Sequence, residues 1–263
     1  MLKKLNFEDF AVLRGPFESG RQSPSSLSAA LILSIFMQAL FIFLEKYIGN
    51  YSIYPHTERI FNIHLWLSII LAVLSIIYSI PVIYMRSQKI QYLLTISVSQ
   101  NLGSVSIYIL ILFMLGAEAE TFQMDSNEIV TCMYVILLLG IIVFILTSIR
   151  FYILLKKGQY RKGSKKDKLR AKFEKKSLVP VAIIGSTGLV FIIQFLIRTF
   201  GIQDFQLIIM ISLATLIFLT MLFVLPEQLV LLYCKFRFKS FNFDRRGNLY
   251  FIDNDLEKSA KVK

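Results

Sequence analysis

Apolar residues in this chain collect in six long blocks separated by polar stretches: Leu27–Leu44, Ile60–Met85, Ile90–Gly116, Ile129–Ile149, Leu178–Ile197 and Phe205–Pro226. Each is close to the roughly 20 residues that a helix needs to cross a hydrocarbon core. No water inside lipid satisfies a bare backbone, so each block is expected to be a helix. The pattern therefore predicts an all-α polytopic membrane protein with six transmembrane helices. It divides the chain into an N-terminal segment (1–26), spans 1–4 (27–149), a loop (150–177), spans 5 and 6 (178–226) and a tail (227–263). Composition agrees. The 263 residues are 56% hydrophobic and 17% charged, against about 45–50% and about 25% in soluble domains. The first block is too long for the core of a cleaved signal, and no A-x-A site follows it. It is read as a retained span.

Charge then orients the bundle. With the N-terminus inside, the segments 1–26, 86–89, 150–177 and 227–263 hold 26 of the 29 Lys and Arg residues. Only Lys46, Arg59 and Arg198 remain for the outer loops. Such a bias places both termini in the cytoplasm. The acidic stretch AEAETFQMDSNE, which has no base, suits the outer side. The bias towards Ile, Phe, Lys, Tyr and Asn is that of an AT-rich coding sequence and points to a bacterial plasma membrane.

The basic concentration peaks in KKGQYRKGSKKDKLRAKFEKK, residues 156–176. Beside anionic head groups each Lys or Arg contributes about 1 kcal/mol of attraction. That makes the stretch a topology signal and a lipid contact. Lys165, Lys166, Lys168, Arg170 and Lys172 are also candidates for docking an acidic protein partner. Ser164 and Asp167 have capping-box spacing and predict a short helix over Ser164–Lys176. No nucleic-acid partner is expected, because the only base-stacking side chain here is Tyr160.

Uncharged polar residues form stripes at helical spacing. Ser34, Gln38 and Glu45 share a face of the first span, and His64, Ser68, Ser75 and Ser79 share one of the second. Ser97, Gln100, Asn101, Ser104 and Tyr108 do so on the third, and Thr187, Gln194 and Arg198 on the fifth. Such residues commonly bond neighbouring helices, at about 0.6 kcal/mol each. The sharper reading is a polar pathway through Gln100, Asn101, Ser97, Ser104 and Gln194. No ionisable residue falls near the centre of a span. Glu45, Arg150, Arg198 and Glu227 fall at span ends, and His56 and His64 at the outer interface. Proton-coupled transporters, intramembrane proteases and pumps place such groups at depth, so these classes are not expected. Pro81 and Pro226 are expected to kink their helices.

Other motifs fail in context. VPVAIIGSTGLV (179–190) carries Gly185 and Gly188 in the manner of a dinucleotide-binding turn, but Phe191 replaces the third glycine and no strand–helix alternation surrounds it. Cys132 and Cys234 fall at opposite membrane faces, too far apart for a disulfide. No cofactor and no metal ligand set is expected.

The tail FRFKSFNFDRRGNLYFIDND (236–255) alternates aromatic and polar residues around a glycine-containing turn, the pattern of a small β-hairpin. A lone hairpin is marginal in water. Phe236, Phe238, Phe241 and Phe243 are therefore expected to bury in the membrane interface or on a partner. The functional expectation is a non-enzymatic accessory, anchoring or immunity component of a membrane or secretion system. It would act through its basic inner surfaces on anionic lipid and on a protein partner or a second copy of the chain. The alternative is a small-solute transporter or channel using the polar stripes. A membrane-embedded enzyme acting on lipid ranks last.

Overall fold

The computed structural model describes residues 5–122, 124–164, 167–168 and 203–252. Among these residues it is all-helical, with five helices long and apolar enough to cross a membrane. A 3₁₀ segment (Phe7–Arg14) and a short helix α1 (Gly15–Glu18) lead into the bundle. The spans are α2 (Pro24–Gly49), α3 (Thr57–Ile77), the compound helix α5 (Gln88–Gln100) plus α6 (Ile107–Ala117), α8 (Ser126–Lys156) and α9 (Gln203–Arg237). Between them lie α4 (Pro81–Arg86) and α7 (Ala119–Phe122). The predicted span Leu178–Ile197 lies outside the described residues.

Local chemistry sets the ends. Ser23 caps α2, its Oγ accepting from the Ser26 amide at 3.2 Å, with Pro24 at the first helical position. There a missing N–H costs nothing. Asp125 and Glu128 form a reciprocal capping box at the start of α8, with bonds of 2.8 and 3.0 Å. Pro81 breaks the second block outright: α3 stops at Ile77, and Pro81 begins α4. Pro226, by contrast, lies inside α9, which runs on to Arg237.

The third span is the centre of the bundle. Of its most apolar window 61% is buried, against 28% or less in the other four. Outward faces such as Leu33, Phe36, Ile63, Trp66, Leu138 and Leu216 are exposed and apolar, as hydrocarbon requires. Close approach depends on small residues. Gly140 of α8 faces α9, where an added Cβ would lie 2.6 Å from Leu222 and 2.7 Å from Phe218. Gly140→Ile is therefore expected to push α8 off α9 and cost about 1–3 kcal/mol, as overpacking does. Thermal unfolding in detergent, with Gly140→Ala as the milder control, checks this.

The tail departs from the expected hairpin. No strand forms among the described residues. Instead α9 continues to Arg237, a 3₁₀ turn covers Lys239–Phe241, and a single antiparallel bridge joins Phe243 to Leu249. The turn between them is real. Asp244 N donates to Asn248 O at 2.8 Å, and Gly247 takes a positive φ of 84°. Backbone N–H groups of Asn248 and Arg246 hold the Asp244 carboxyl below the usual carboxylate range. The reason no ladder extends further is aromatic burial: the rings pack onto the N-terminal segment rather than across a strand pair.

That packing makes a cap at one end of the bundle. Phe7, Phe10 and Phe17 meet Phe238, Phe241 and Phe243, with ring centroids 5.5–6.4 Å apart. Leu13, Tyr92, Phe151, Tyr160 and Leu231 complete the same apolar core. Gln88 bonds both backbone groups of Phe243, donating to its carbonyl and accepting from its amide at 2.8 Å each. Residues 5–19, the start of α5, the turn after α8 and the tail thus form one folded unit. The expected burial of Phe238, Phe241 and Phe243 in lipid or on a partner is corrected: they bury within the chain itself.

Candidate functional site

Two places concentrate polar groups where burial makes them expensive. The first lies between α2, α3 and the third span. Glu45, on the last turn but one of α2, is completely buried, and His64 of α3 is 2% exposed. Glu45 Oε2 and His64 Nδ1 are 2.7 Å apart. The other imidazole nitrogen, Nε2, faces Asn101 Oδ1 at 3.2 Å and Ser68 Oγ at 3.4 Å. Asn101 Nδ2 in turn donates to Ser68 Oγ at 3.1 Å. Ser106 faces the carboxylate from the third span, while Glu45 Oε1 is left without a well-formed hydrogen bond.

The backbone beside this cluster is unusual. Asn101–Ser106 is a π turn separating α5 from α6. Such bulges are rare and frequently mark functional sites. Here the turn contributes Asn101, Ser104 and Ser106, all buried.

Glu45 stays near the end of its helix, as its sequence position implies, but it and His64 are buried between helices rather than exposed. Sequence position put Glu45 and His64 near an interface, where water would satisfy them. The fold turns both inward and pairs them. Isolated buried charges cost several kcal/mol each, so pairing and hydrogen bonding are required. The signal was present in the stripes, because Glu45 shares a face with Ser34 and Gln38, and His64 with Ser68. What one dimension withheld was that the two faces meet.

Among the described residues, the proposed pathway residues divide between different neighbourhoods. Asn101 belongs to the Glu45–His64 cluster. Its neighbour Gln100 turns to α9, donating to Gln228 Oε1 and Met221 O at 3.3 Å and accepting from Ser104 at 2.9 Å. Ser97 is exposed and bonds only its own helix at Leu93 O. Gln194, with Thr187 and Arg198, lies outside the described residues. Elsewhere the stripes pair helices: Ser28 and Ser79 exchange hydroxyl-to-carbonyl bonds at 2.9 and 3.3 Å.

The second place is the cap. Arg14, 6% exposed, donates from Nε to Ser240 O at 3.0 Å and from NH2 to Tyr250 O at 2.7 Å. It also reaches Glu18 at 3.0 Å. Lys235 is 1% exposed, with Nζ 4.6 Å above the Phe17 ring and within 6 Å of Tyr92 and Phe243. Its Nζ donates to Phe241 O at 3.1 Å. Asp9 accepts from Arg161 at 2.7 Å, and that bond raises the guanidinium's already high pKa. The Val12 amide donates to Tyr160 O at 2.9 Å.

Among the expected docking residues, Phe236 is exposed beneath Lys89, and Lys168 is exposed. Lys165, Lys166, Arg170 and Lys172 lie outside the described residues. The capping geometry at Ser164 is present: the Asp167 amide donates to Ser164 Oγ at 3.2 Å. Among the described residues, no group of three or more His, Cys, Asp or Glu side chains is placed to hold a metal. No protein-family model, curated protein or solved structure matches this chain.

Proposed function

We propose that this is a six-span protein of the bacterial plasma membrane with both termini cytoplasmic. Its role is that of a non-enzymatic accessory or anchoring component, such as an immunity protein, acting through a preformed basic cap. The observation carrying this reading is the cap itself. Segments far apart in sequence lock together through Arg14, Lys235 and Asp9–Arg161, while Lys156, Lys157, Lys162, Arg245 and Arg246 stay exposed around them. A loop that only set topology would need no such scaffold. A rigid basic face suits an acidic protein partner at an anionic lipid surface.

The cap also supports the orientation and the sixth span. Residues 5–19, 157–164 and 235–252 share one end, and all three belong to segments that the charge rule places inside, the latter two being strongly basic. α8 and α9 run parallel, Gly140 lying beside Phe218 and Leu222, and Leu154 nearer Pro226 and Glu227. The chain thus leaves α8 at the cap and enters α9 at the other end. The apolar block Leu178–Ile197 has the length that a return crossing needs.

The test is affinity purification of the tagged full-length protein from its native membrane in mild detergent. Truncating the tail would be a poor control, since it removes the partners of Arg14 and Phe7. The better control neutralises exposed charge: Lys157, Lys162, Arg245 and Arg246 each replaced by Gln. An acidic protein should copurify near stoichiometrically with the wild type and be lost from a control of unchanged thermal stability. A wild type that emerges alone, or a partner retained by the control, sinks the reading. A transporter or channel is the second reading, favoured by the Glu45–His64–Asn101 cluster, since ionisable groups inside a bundle mark transport paths by default.

A further inference from the structure

We propose that the Glu45–His64 pair is a binding site for one exchangeable proton, held between α2, α3 and the π turn. The argument starts from Asn101. Its Nδ2 donates to Ser68 Oγ, so its Oδ1 is the atom turned to the imidazole. A carbonyl oxygen only accepts, so in this orientation of the Asn101 amide His64 Nε2 carries the hydrogen. The second nitrogen, Nδ1, lies 2.7 Å from Glu45 Oε2. Without a proton between them, a lone pair on Nδ1 would face a carboxylate oxygen at hydrogen-bonding distance, which is repulsive. The distance itself therefore calls for a proton, resident either on the imidazole as an ion pair or on the carboxyl beside a neutral imidazole.

With that proton the pair is neutral overall. Without it, a carboxylate stands buried with no cation placed to balance it among the described residues. From α2, Lys46 Nζ lies over the Phe61 ring at 5.2 Å. From α3, Glu58 and Arg59 are exposed, and His56 packs on Tyr54. The third span brings Asn101, Ser104, Ser106 and, farther along, Tyr108, none of them charged at neutral pH. Proton loss is thus expected to loosen the seam among the three helices and admit water to Glu45 Oε1. The donor set suits a proton rather than a metal: the carboxylate and imidazole are already bonded to each other, and only Oε1 remains for a larger cation. Binding transfers one proton and no electrons. The site stands apart from the cap and holds whether the protein anchors or transports.

The chain has two histidines, so His56→Asn leaves His64 as the sole imidazole signal. Full-length His56→Asn protein, labelled with ¹⁵N-histidine and reconstituted in nanodiscs, would be followed by NMR from pH 5 to 10. The expected result is two exchanging states of one site, one in which Nδ1 carries or strongly shares a proton and one in which His64 is the Nε2–H tautomer. Glu45→Gln on this background should weaken proton binding at Nδ1 by about tenfold or more, with Glu45→Asp restoring part of it. Two outcomes overturn the proposal in the His56→Asn protein alone, whatever becomes of the Glu45 variants. One is a bare Nδ1 across the whole range, and the other is a proton that never exchanges.

Discussion

Phe241→Ala lowers the stability of the cap by about 3–5 kcal/mol, the cost of deleting a fully buried phenylalanine. Phe241 has no exposed surface. Its ring meets Phe7 at 6.1 Å and Phe17 at 5.9 Å, both edge to face. Its carbonyl also accepts from Lys235 Nζ. The loss is not expected to stay in the tail. Residues 5–19, 157–164 and 238–252 depend on one another for burial, so they should open as one cooperative unit. Hydrogen exchange followed by mass spectrometry would show it: all three peptides gain exchange together in Phe241→Ala, while the peptides of α3 and α6 stay protected. Faster exchange confined to 238–252 would mean that the cap is not a single unit. Phe241→Leu keeps most of the apolar volume and should cost less.

Arg14→Met has the second large effect, about 2–5 kcal/mol. Methionine retains much of the apolar stem but none of the donors. The carbonyls of Ser240 and Tyr250 then lose the guanidinium donors they accept from, at about 1–3 kcal/mol for each buried group left unsatisfied. Arg14→Lys should rescue little, because a single ammonium cannot span two carbonyls in the fixed fork of a guanidinium. Denaturant unfolding in micelles, read as the midpoint for tail release, would rank wild type well above both variants. Equal midpoints for wild type and Arg14→Met would show that the two carbonyl bonds contribute nothing net. Because Arg14 and Phe241 share the cap, the double variant should lose less than the sum of the two singles.

The membrane character of the chain was legible from hydropathy alone. Apolar blocks long enough to cross a bilayer leave the backbone no option but helix, and that constraint is local and one-dimensional. Capping followed the same logic at Ser164–Asp167, where the partners lie three residues apart and the Asp167 amide donates to Ser164 Oγ. The stripes Ser34–Gln38–Glu45 and His64–Ser68–Ser75 were equally readable, since helical spacing alone puts each set on one face.

Which faces meet was not readable. Glu45 and His64 stand nineteen residues apart, and Asn101 thirty-seven beyond His64. Only the packing of α2 and α3 against the third span turns three separate stripes into one buried cluster. The same limit separated Gln100 from Asn101: adjacent in the chain, they point about 100° apart around a helix and find different partners. It also misassigned the tail. Alternating aromatics fit a hairpin locally, yet Phe238, Phe241 and Phe243 gain more by burial on Phe7, Phe10 and Phe17, more than 200 residues away. Sequence by itself determined the solvent of each segment, because hydropathy and backbone hydrogen bonding are properties of neighbours. Tertiary structure alone decided where Glu45, His64, Arg14 and Lys235 find the partners that make their burial affordable, because those partners come from helices and segments distant along the chain.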